Sequence, residues 1–312
     1  MRLLKLVSWM LLGGMLACFT NATNARQVAR IPGRIIAAKV HGTVVATRLA
    51  DQSKHTLTDN DTVAQHTVIT TGKAASVILV FSNGATVDVG AESTLSIDEF
   101  LQDPFEKEVA VASLTAEPTS SVTKLNLSRG ELVGNVKHLR QDEGSSFTVN
   151  TPVGAAGIRG TTFRIVFRPD LSGKVIFTLS TAEGAVLFQS PAAGAGVSVE
   201  TGKEIVIDVE VSVDAATGKV TITAPPKITG VNDIPAATQA IIAAAVQQII
   251  EQSSKIIIPA GPAGPNNNSS SDPPKTDEQK TNSEKNTPSL DDTIPAPNTP
   301  ASQTTHGDGQ PG

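Results

Sequence analysis

FTVNTPVGAAGIRGTTFRIVF, residues 147–167, is the stretch whose reading decides the fold class. Two strand-like runs, 147–149 and 161–167, flank a segment with glycine at 154, 157 and 160. A Gly-x-x-Gly-x-x-Gly spacing resembles a phosphate loop, but such a loop has to open a helix. Here Thr161, Thr162, Phe163, Ile165, Val166 and Phe167 follow, and β-branched and aromatic residues at that density favour a strand. The glycines are therefore expected to serve a β-turn structure, in which a missing Cβ permits positive φ and close backbone approach.

The same grammar extends in both directions. Residues 77–81 (VILVF) run into Ser82-Asn83-Gly84-Ala85 and then 86–89 (TVDV), and Asn-Gly between two β-rich runs signals a hairpin. Residues 95–97 continue the sheet, whereas 101–120, with Pro104 and Pro118, read as a long polar excursion. Strand patterns resume at 123–127, 129–136, 175–179, 183–188, 196–200 and 204–213. The polar stretch 214–218 then makes a second hairpin with 219–223. Gly42-Thr43-Val44, Gly130-Glu131-Leu132 and Gly184-Ala185-Val186 echo one another, as do Thr71-Gly72-Lys73 and Thr201-Gly202-Lys203. Their spacing is irregular, so the repeat is loose. The expectation is an all-β region over 35–230, built as a stack of short strands, either a twisted solenoid-like array or a sandwich.

The two ends differ in character. Arg2 and Lys5 precede the apolar run 6–17, and small residues follow at Thr20, Ala22, Thr23 and Ala25. That pattern predicts a secretory signal peptide over 1–25, cleaved near Ala22 or Ala25, and too short to span a bilayer. Residues 26–34 form a polar lead. Cys18 offers a second reading, a lipoprotein anchored through that thiol. Cleavage would remove both Cys18, the single cysteine, and Trp9, the single tryptophan, and the chain has no tyrosine. The exported form would then have no disulfide and would rest on its core alone. Asp233 and Pro235 start an amphipathic helix over 233–254, with Ile241, Ile242, Ala245, Val246, Ile249 and Ile250 on one half. Residues 236–252 could pack on the sheet or receive a partner helix, and their Gln and Glu residues argue against a membrane span. From Pro259 to 312 a Pro, Asn, Ser, Thr and Asp-rich tail buries too little to fold and is expected to be disordered.

Chemistry-bearing patterns are sparse. The five histidines, at 41, 55, 66, 138 and 306, lack metal-ligand spacing and read as solvated. Zincin, nucleophile-elbow and Walker patterns are missing. Asp98, Glu99, Asp103, Glu106 and Glu108 cluster near the excursion without the ligand order and turn glycine of a calcium loop. No cofactor or metal is expected. The net charge of −5 and an aromatic content of 3% argue against nucleic acid, which wants a basic stripe and stacking rings. Arg159 either pins neighbouring carbonyls or a carboxylate through its planar fork of donors, or contacts a partner or anion.

Several stretches, in order, resemble the FecR domain. They are 69–77 with Thr71 and Gly72, 81–87 with the turn Asn83-Gly84, 93–97, 127–132 with Gly130, and 147–163 with Thr151, Pro152, Gly154, Gly157, Arg159, Gly160, Thr161 and Phe163. The resemblance covers about 65–168. It implies a non-enzymatic all-β module of the bacterial envelope. The best-known members pass a signal from an outer-membrane iron transporter to a cytoplasmic sigma factor. This sequence shows neither their cytoplasmic anti-sigma region nor a second hydrophobic span. The expectation is an exported, periplasmic or secreted FecR-like binding, sensory or scaffold protein, whose partner is an envelope protein or a cell-wall component. An extracellular structural or adhesion protein is the alternative from another class. A polysaccharide-active enzyme on a β-solenoid would need convergent carboxylates that the sequence does not display.

Overall fold

Apolar residues alternate with polar ones along most of the strands, so each strand offers the core one face. The computed structural model describes residues 29–170, 172–190, 196–217 and 219–260. The expected signal peptide, with its cleavage sites and Cys18, lies outside the described residues, as does the expected disordered tail beyond 260.

In chain order the strands begin with β1 (Ile31–Pro32), β2 (Ile35–His41), β3 (Val44–Arg48), β4 (Lys54–Thr56), β5 (Thr62–Val63), β6 (Thr67–Thr71), β7 (Ser76–Phe81) and β8 (Thr86–Val89). The middle of the chain supplies β9 (Thr94–Gln102), β10 (Val109–Ala110), β11 (Ser121–Asn135), β12 (Ser146–Thr151), β13 (Gly154–Ile158) and β14 (Thr162–Phe167). Then come β15 (Lys174–Glu183), β16 (Ala185–Gln189), β17 (Val197–Glu200), β18 (Lys203–Val213), β19 (Val220–Ile222) and β20 (Lys227–Asp233). Helix α1 (Ala236–Ser253) and β21 (Ile257–Ile258) close the described chain.

The pairings lay out two facing sheets. One has the order β4-β3-β6-β9-β11-β12-β13-β16-β17, with β1 beside the end of β9. The other has the order β5-β2-β7-β8-β11-β14-β15-β18-β20, with β19 beside the end of β18. All these ladders are antiparallel except β11–β12. Each sheet ends on strands with one partner, so neither closes. From β12 onward hairpins alternate between layers: β12–β13, then β14–β15, β16–β17 and β18–β20. This is the expected all-β stack, in its sandwich form.

β11 belongs to both sheets. Residues up to Arg129 pair with β9, and those from Gly130 pair with β14. Gly130 makes the crossing with φ +103°, and a Cβ there would lie 2.1 Å from Ser93 Oγ. Between the layers is one core. Phe81, Phe100, Phe147, Phe163, Phe167, Phe177 and Phe188 are all fully buried in it. Phe81 meets Phe100 edge-on at 5.2 Å, and Phe177 stacks on Phe188 at 5.2 Å, so rings from opposite sheets touch.

Part of the outer face of the second sheet is also apolar, and that part is covered. Ile78 and Val80 pack with Val111, Ile256 and Ile258, while Val133 packs with Ile234, Ile242 and Ala245. Ile242, Ala245 and Ile249 of α1 are buried, but Ile241 and Ile250 are 46% and 55% exposed. The sheet thus takes a narrower stripe of the helix than the sequence half-face suggested. Among the described residues no helix is long and apolar enough to cross a membrane.

Two local expectations are corrected. Gly157 lies inside strand β13, paired with β12 and β16, Gly154 opens that strand opposite Thr151, and only Gly160 of the three has positive φ. The excursion 101–120 is not a free loop. β9 continues to Gln102, β10 pairs with β21, and Val111, Glu117 and Ser120 are buried.

Candidate functional site

The direction of each strand sorts the singled-out residues to opposite ends of the sandwich. At one end Thr71 closes β6. Its Oγ1 donates to the Gly90 carbonyl at 2.7 Å and accepts the Ser93 N–H at 2.8 Å. Ser93 Oγ accepts the Glu131 N–H at 3.0 Å. The Gly72 N–H bonds the Thr43 carbonyl at 2.9 Å. Three separate motif stretches are thereby tied around Gly130. Beside this knot is a shallow depression of about 320 Å³, lined by Thr70, Lys73, Glu92, Thr94 and Arg129.

The turn at 151–154 is at the same end. Thr151 Oγ1 accepts the N–H groups of Val153 and Gly154 at 3.3 and 3.2 Å and donates to the Gly154 carbonyl at 2.8 Å. This leaves Pro152 exposed at the tip. A Cβ on Gly154 would lie 2.3 Å from the Gln189 carbonyl of β16, so close strand approach requires this glycine.

The other end holds Asn83, Gly84, Arg159, Gly160 and Thr161. The Asn83-Gly84 turn is buried under the excursion. Asn83 Nδ2 donates to Ser121 Oγ at 3.0 Å and Thr123 Oγ1 at 3.3 Å, and its Oδ1 accepts the Ala85 N–H at 3.0 Å. Ser121 Oγ donates to Glu117 Oε2 at 2.6 Å, and Glu117 Oε1 accepts the Arg140 N–H at 2.6 Å. Gly160, at φ +78°, leaves no room for a Cβ against His138. Phe163 is fully buried against Gly134. The Oγ1 atoms of Thr161 and Thr181 are buried without a partner. Arg159 is exposed and makes no hydrogen bond or ion pair among the described residues, so it pins neither a carbonyl nor a carboxylate.

A third group was not legible as a site. Glu131, at an outward position of β11, accepts from Arg164 Nε and from an Arg168 guanidinium nitrogen, each at 2.7 Å. Glu131 and Arg164 are 16% and 12% exposed, so this pairing is half sheltered on the outer face of the second sheet. Next to it on β8 is Asp88. Burial pushes its carboxyl up to about 6, the Glu131 charge adds to the rise, and Lys39 opposes it. Farther along, Ser180 Oγ donates to the buried Glu204 at 2.5 Å. The available signal was opposite charges at outward positions of apolar strands, which are suited to cross-strand pairing.

These groups bind one another more than they converge on a reacting centre. The acids flanking the excursion are divided among partners: Asp103 pairs with Arg30 at 3.5 Å, and Glu99 pairs with Lys124 at 2.5 Å. His55 pairs with Asp61 at 2.9 Å. No group of three or more His, Cys, Asp or Glu among the described residues is placed to hold a metal ion.

Residues 67–187 match the model of the family described as FecR protein. No curated protein matches this chain. Two crystal structures of a candidate anti-sigma factor from Parabacteroides distasonis ATCC 8503 are similar, at 14% identity and a TM-score of 0.35. The similarity covers 60% of this chain and 74% of that one. The family match starts at β6 and ends in β16, past the 168 expected from the closing signature, because β13 and β14 find their next partners in β16 and β15. It takes in the knot at Gly130, the buried Asn83-Gly84 turn and the 147–163 stretch, and residues 67–187 of this chain are a FecR domain.

Proposed function

We propose that the chain is an exported, non-enzymatic binding, sensory or scaffold protein of the bacterial envelope, whose partner is an envelope protein or a cell-wall component. The FecR domain itself supports a signalling or regulatory role. The observation that carries the finer reading is how the signature residues are spent. Thr71, Asn83, Gly130, Thr151, Gly154 and Gly160 lock backbone against backbone at both ends of the sandwich, and no nucleophile, base or metal set is gathered there. A rigid two-layer body of this kind presents surfaces, and the exposed Pro152 and Arg159 stand at opposite ends of it. The expected signal peptide supports export.

Fractionating cells that express the full chain, with N-terminal sequencing of the exported form, tests the location. A start near Thr23 or Arg26 is expected, a diacylated Cys18 would make the chain a lipoprotein, and an unprocessed cytoplasmic protein would end the export reading. Cosedimentation with peptidoglycan and with envelope protein fractions tests the partner. Turnover of any member of a polysaccharide panel would overturn the non-enzymatic reading.

A further inference from the structure

Two residues of the 147–163 stretch are left over once the fold has taken its share. Gly157 is inside β13, in register with β12 on one side and β16 on the other. Its φ is not positive, and a Cβ there would meet only the Leu187 carbonyl, at 3.6 Å. Glycine in a strand interior weakens the strand, and it marks a bulge, a bend, or a place where a ligand or another backbone comes close. Neither a bulge nor a bend occurs at Gly157, which leaves close approach from outside. Arg159 is the other residue. It is exposed and makes no hydrogen bond or ion pair among the described residues. It stands two residues beyond Gly157, where β13 ends.

Both belong to one surface feature. On the outer face of the first sheet β13 shows only Ala155 and Gly157, because Ala156 and Ile158 are buried in the core. Thr148 and Leu187 stand on either side of Gly157, and Asn150 and Gln189 on either side of Ala155. Phe147, Val149, Val186 and Phe188 are buried, so these four side chains face outward. The result is a furrow with a floor of backbone and one methyl group. Its walls are two strand spacings apart, about 10 Å, and the 5 residues of β13 make it about 17 Å long. One extended chain of about the same number of residues fills that space.

The chemistry of the furrow selects the occupant. The floor strand is paired on both sides, so a guest cannot join it as a further strand. The side-chain amides of Asn150 and Gln189 make no hydrogen bond among the described residues, and each offers a donor and an acceptor, as a peptide group requires. Floor and walls carry no acid. On the flanking strands Glu200 accepts from Ser198, and Lys124 is paired with Glu99. Arg159 is therefore a single unpaired cation at one end, and its planar fork matches a carboxylate. One charge at one end suits a chain that terminates there, whereas a segment of a folded protein runs on beyond it.

We propose that the β13 furrow binds a short peptide ending in a free carboxylate, of the kind that cross-links the cell wall, with the carboxylate on Arg159 and the peptide groups between Asn150 and Gln189. The proposal rests on the reading of the partner as a cell-wall component.

Calorimetric titration of the purified full chain with a synthetic cell-wall stem peptide, free or amidated at its terminal carboxylate, is the test. Saturable binding of the free form is expected, weakened at least about tenfold by Arg159→Ala and partly recovered by Arg159→Lys. The amidated form is expected to bind the parent as weakly as it binds Arg159→Ala. Gly157→Val fills the floor with a side chain that strands favour, and is expected to abolish binding while the thermal melt stays at the parent value. Arg129→Ala, outside the furrow, is expected to leave binding unchanged. Binding indifferent to Arg159→Ala or to Gly157→Val would overturn the proposal. So would a peptide that does not bind; if such a chain still sediments with peptidoglycan, the envelope reading stands without the furrow. Retention of an envelope protein through Arg159, with neither peptide nor peptidoglycan bound, would overturn it in favour of a protein partner. A chain that stays unprocessed in the cytoplasm ends the reading on which the proposal rests, and the proposal with it.

Discussion

Two glycines of one signature do different things, and substitution separates them. Gly160 has positive φ and no room for a Cβ beside His138, so Gly160→Val is expected to cost more than about 2 kcal/mol in a denaturant melt. At Gly157 φ is not positive and the nearest atom to an added Cβ is the Leu187 carbonyl at 3.6 Å, an ordinary contact. Gly157→Ala should leave stability unchanged or raise it by about 0.4–1 kcal/mol through the unfolded chain. Arg159, exposed and unbonded, should tolerate Ala within about 0.5 kcal/mol. A Gly160→Val protein that melts like the parent would show that the turn is not what the backbone requires. Asp88 makes a pH prediction. Its folded-state carboxyl titrates near 6 against an ordinary 3.8, so the folded state holds the proton more tightly than the unfolded one. The stabilisation from the neutral form is complete below about 4 and is lost as pH rises through about 6. Asp88→Asn should therefore flatten this part of the stability profile and raise stability at pH 7 by on the order of 2 kcal/mol. Melts of both proteins between pH 4 and 7 check it, and an Asn variant less stable at pH 7 would contradict it.

At the scale of elements, the excursion between β9 and β11 is the piece whose composition misleads most. It reads as polar and irregular, yet Glu117 is 1% exposed and bonds both Ser121 and Arg140. Asn83→Ala removes the donor to Ser121 and Thr123 and the acceptor for Ala85, and is expected to cost about 2 kcal/mol, since buried partners are left unsatisfied. The same variant should be cut faster by protease within 103–120, and unchanged cleavage there would mean that the turn does not hold the loop. The strands themselves were legible because alternation and Asn-Gly chemistry are local. The burial of that turn was not, because Leu114 and Lys137, which lie against Gly84, come from well beyond the hairpin in the chain. Likewise Ser128-Arg129-Gly130-Glu131 reads as one uninterrupted strand. Its crossing between sheets depends on which strands flank each half, and that is a tertiary property. Strand-forming runs on both sides make the glycines of 154–160 read as a turn, but Gly154–Ile158 is itself a strand, and β16 approaches too closely for a side chain at 154. Arg164 and Glu131 were each visible, while their partnership required the β11–β14 register.

At the scale of the whole molecule, residues up to 260 carry every packed element described. Truncation after Ala260 should leave the melting temperature unchanged, whereas truncation before Ala236 uncovers Ile78, Val80 and Val133 and should lower it by several degrees, about 2–4 °C per kcal/mol lost. A melt that drops on removal of the tail alone would show that the tail contributes to the fold. The long strand β11 has a further consequence, in the time domain. Residues 122–126 are flanked by β9 and β12 and residues 132–135 by β8 and β14, so no amide of these two stretches faces a free edge. To release those hydrogens to solvent, both layers have to come apart together. Amide exchange along 122–126 and 132–135 should therefore run at the slowest rate in the protein and track global stability in denaturant, while β4 and β17 exchange earlier through local opening. Such a strand is a clock for the whole fold: its deuterium uptake counts complete unfolding events and is blind to fraying at either end.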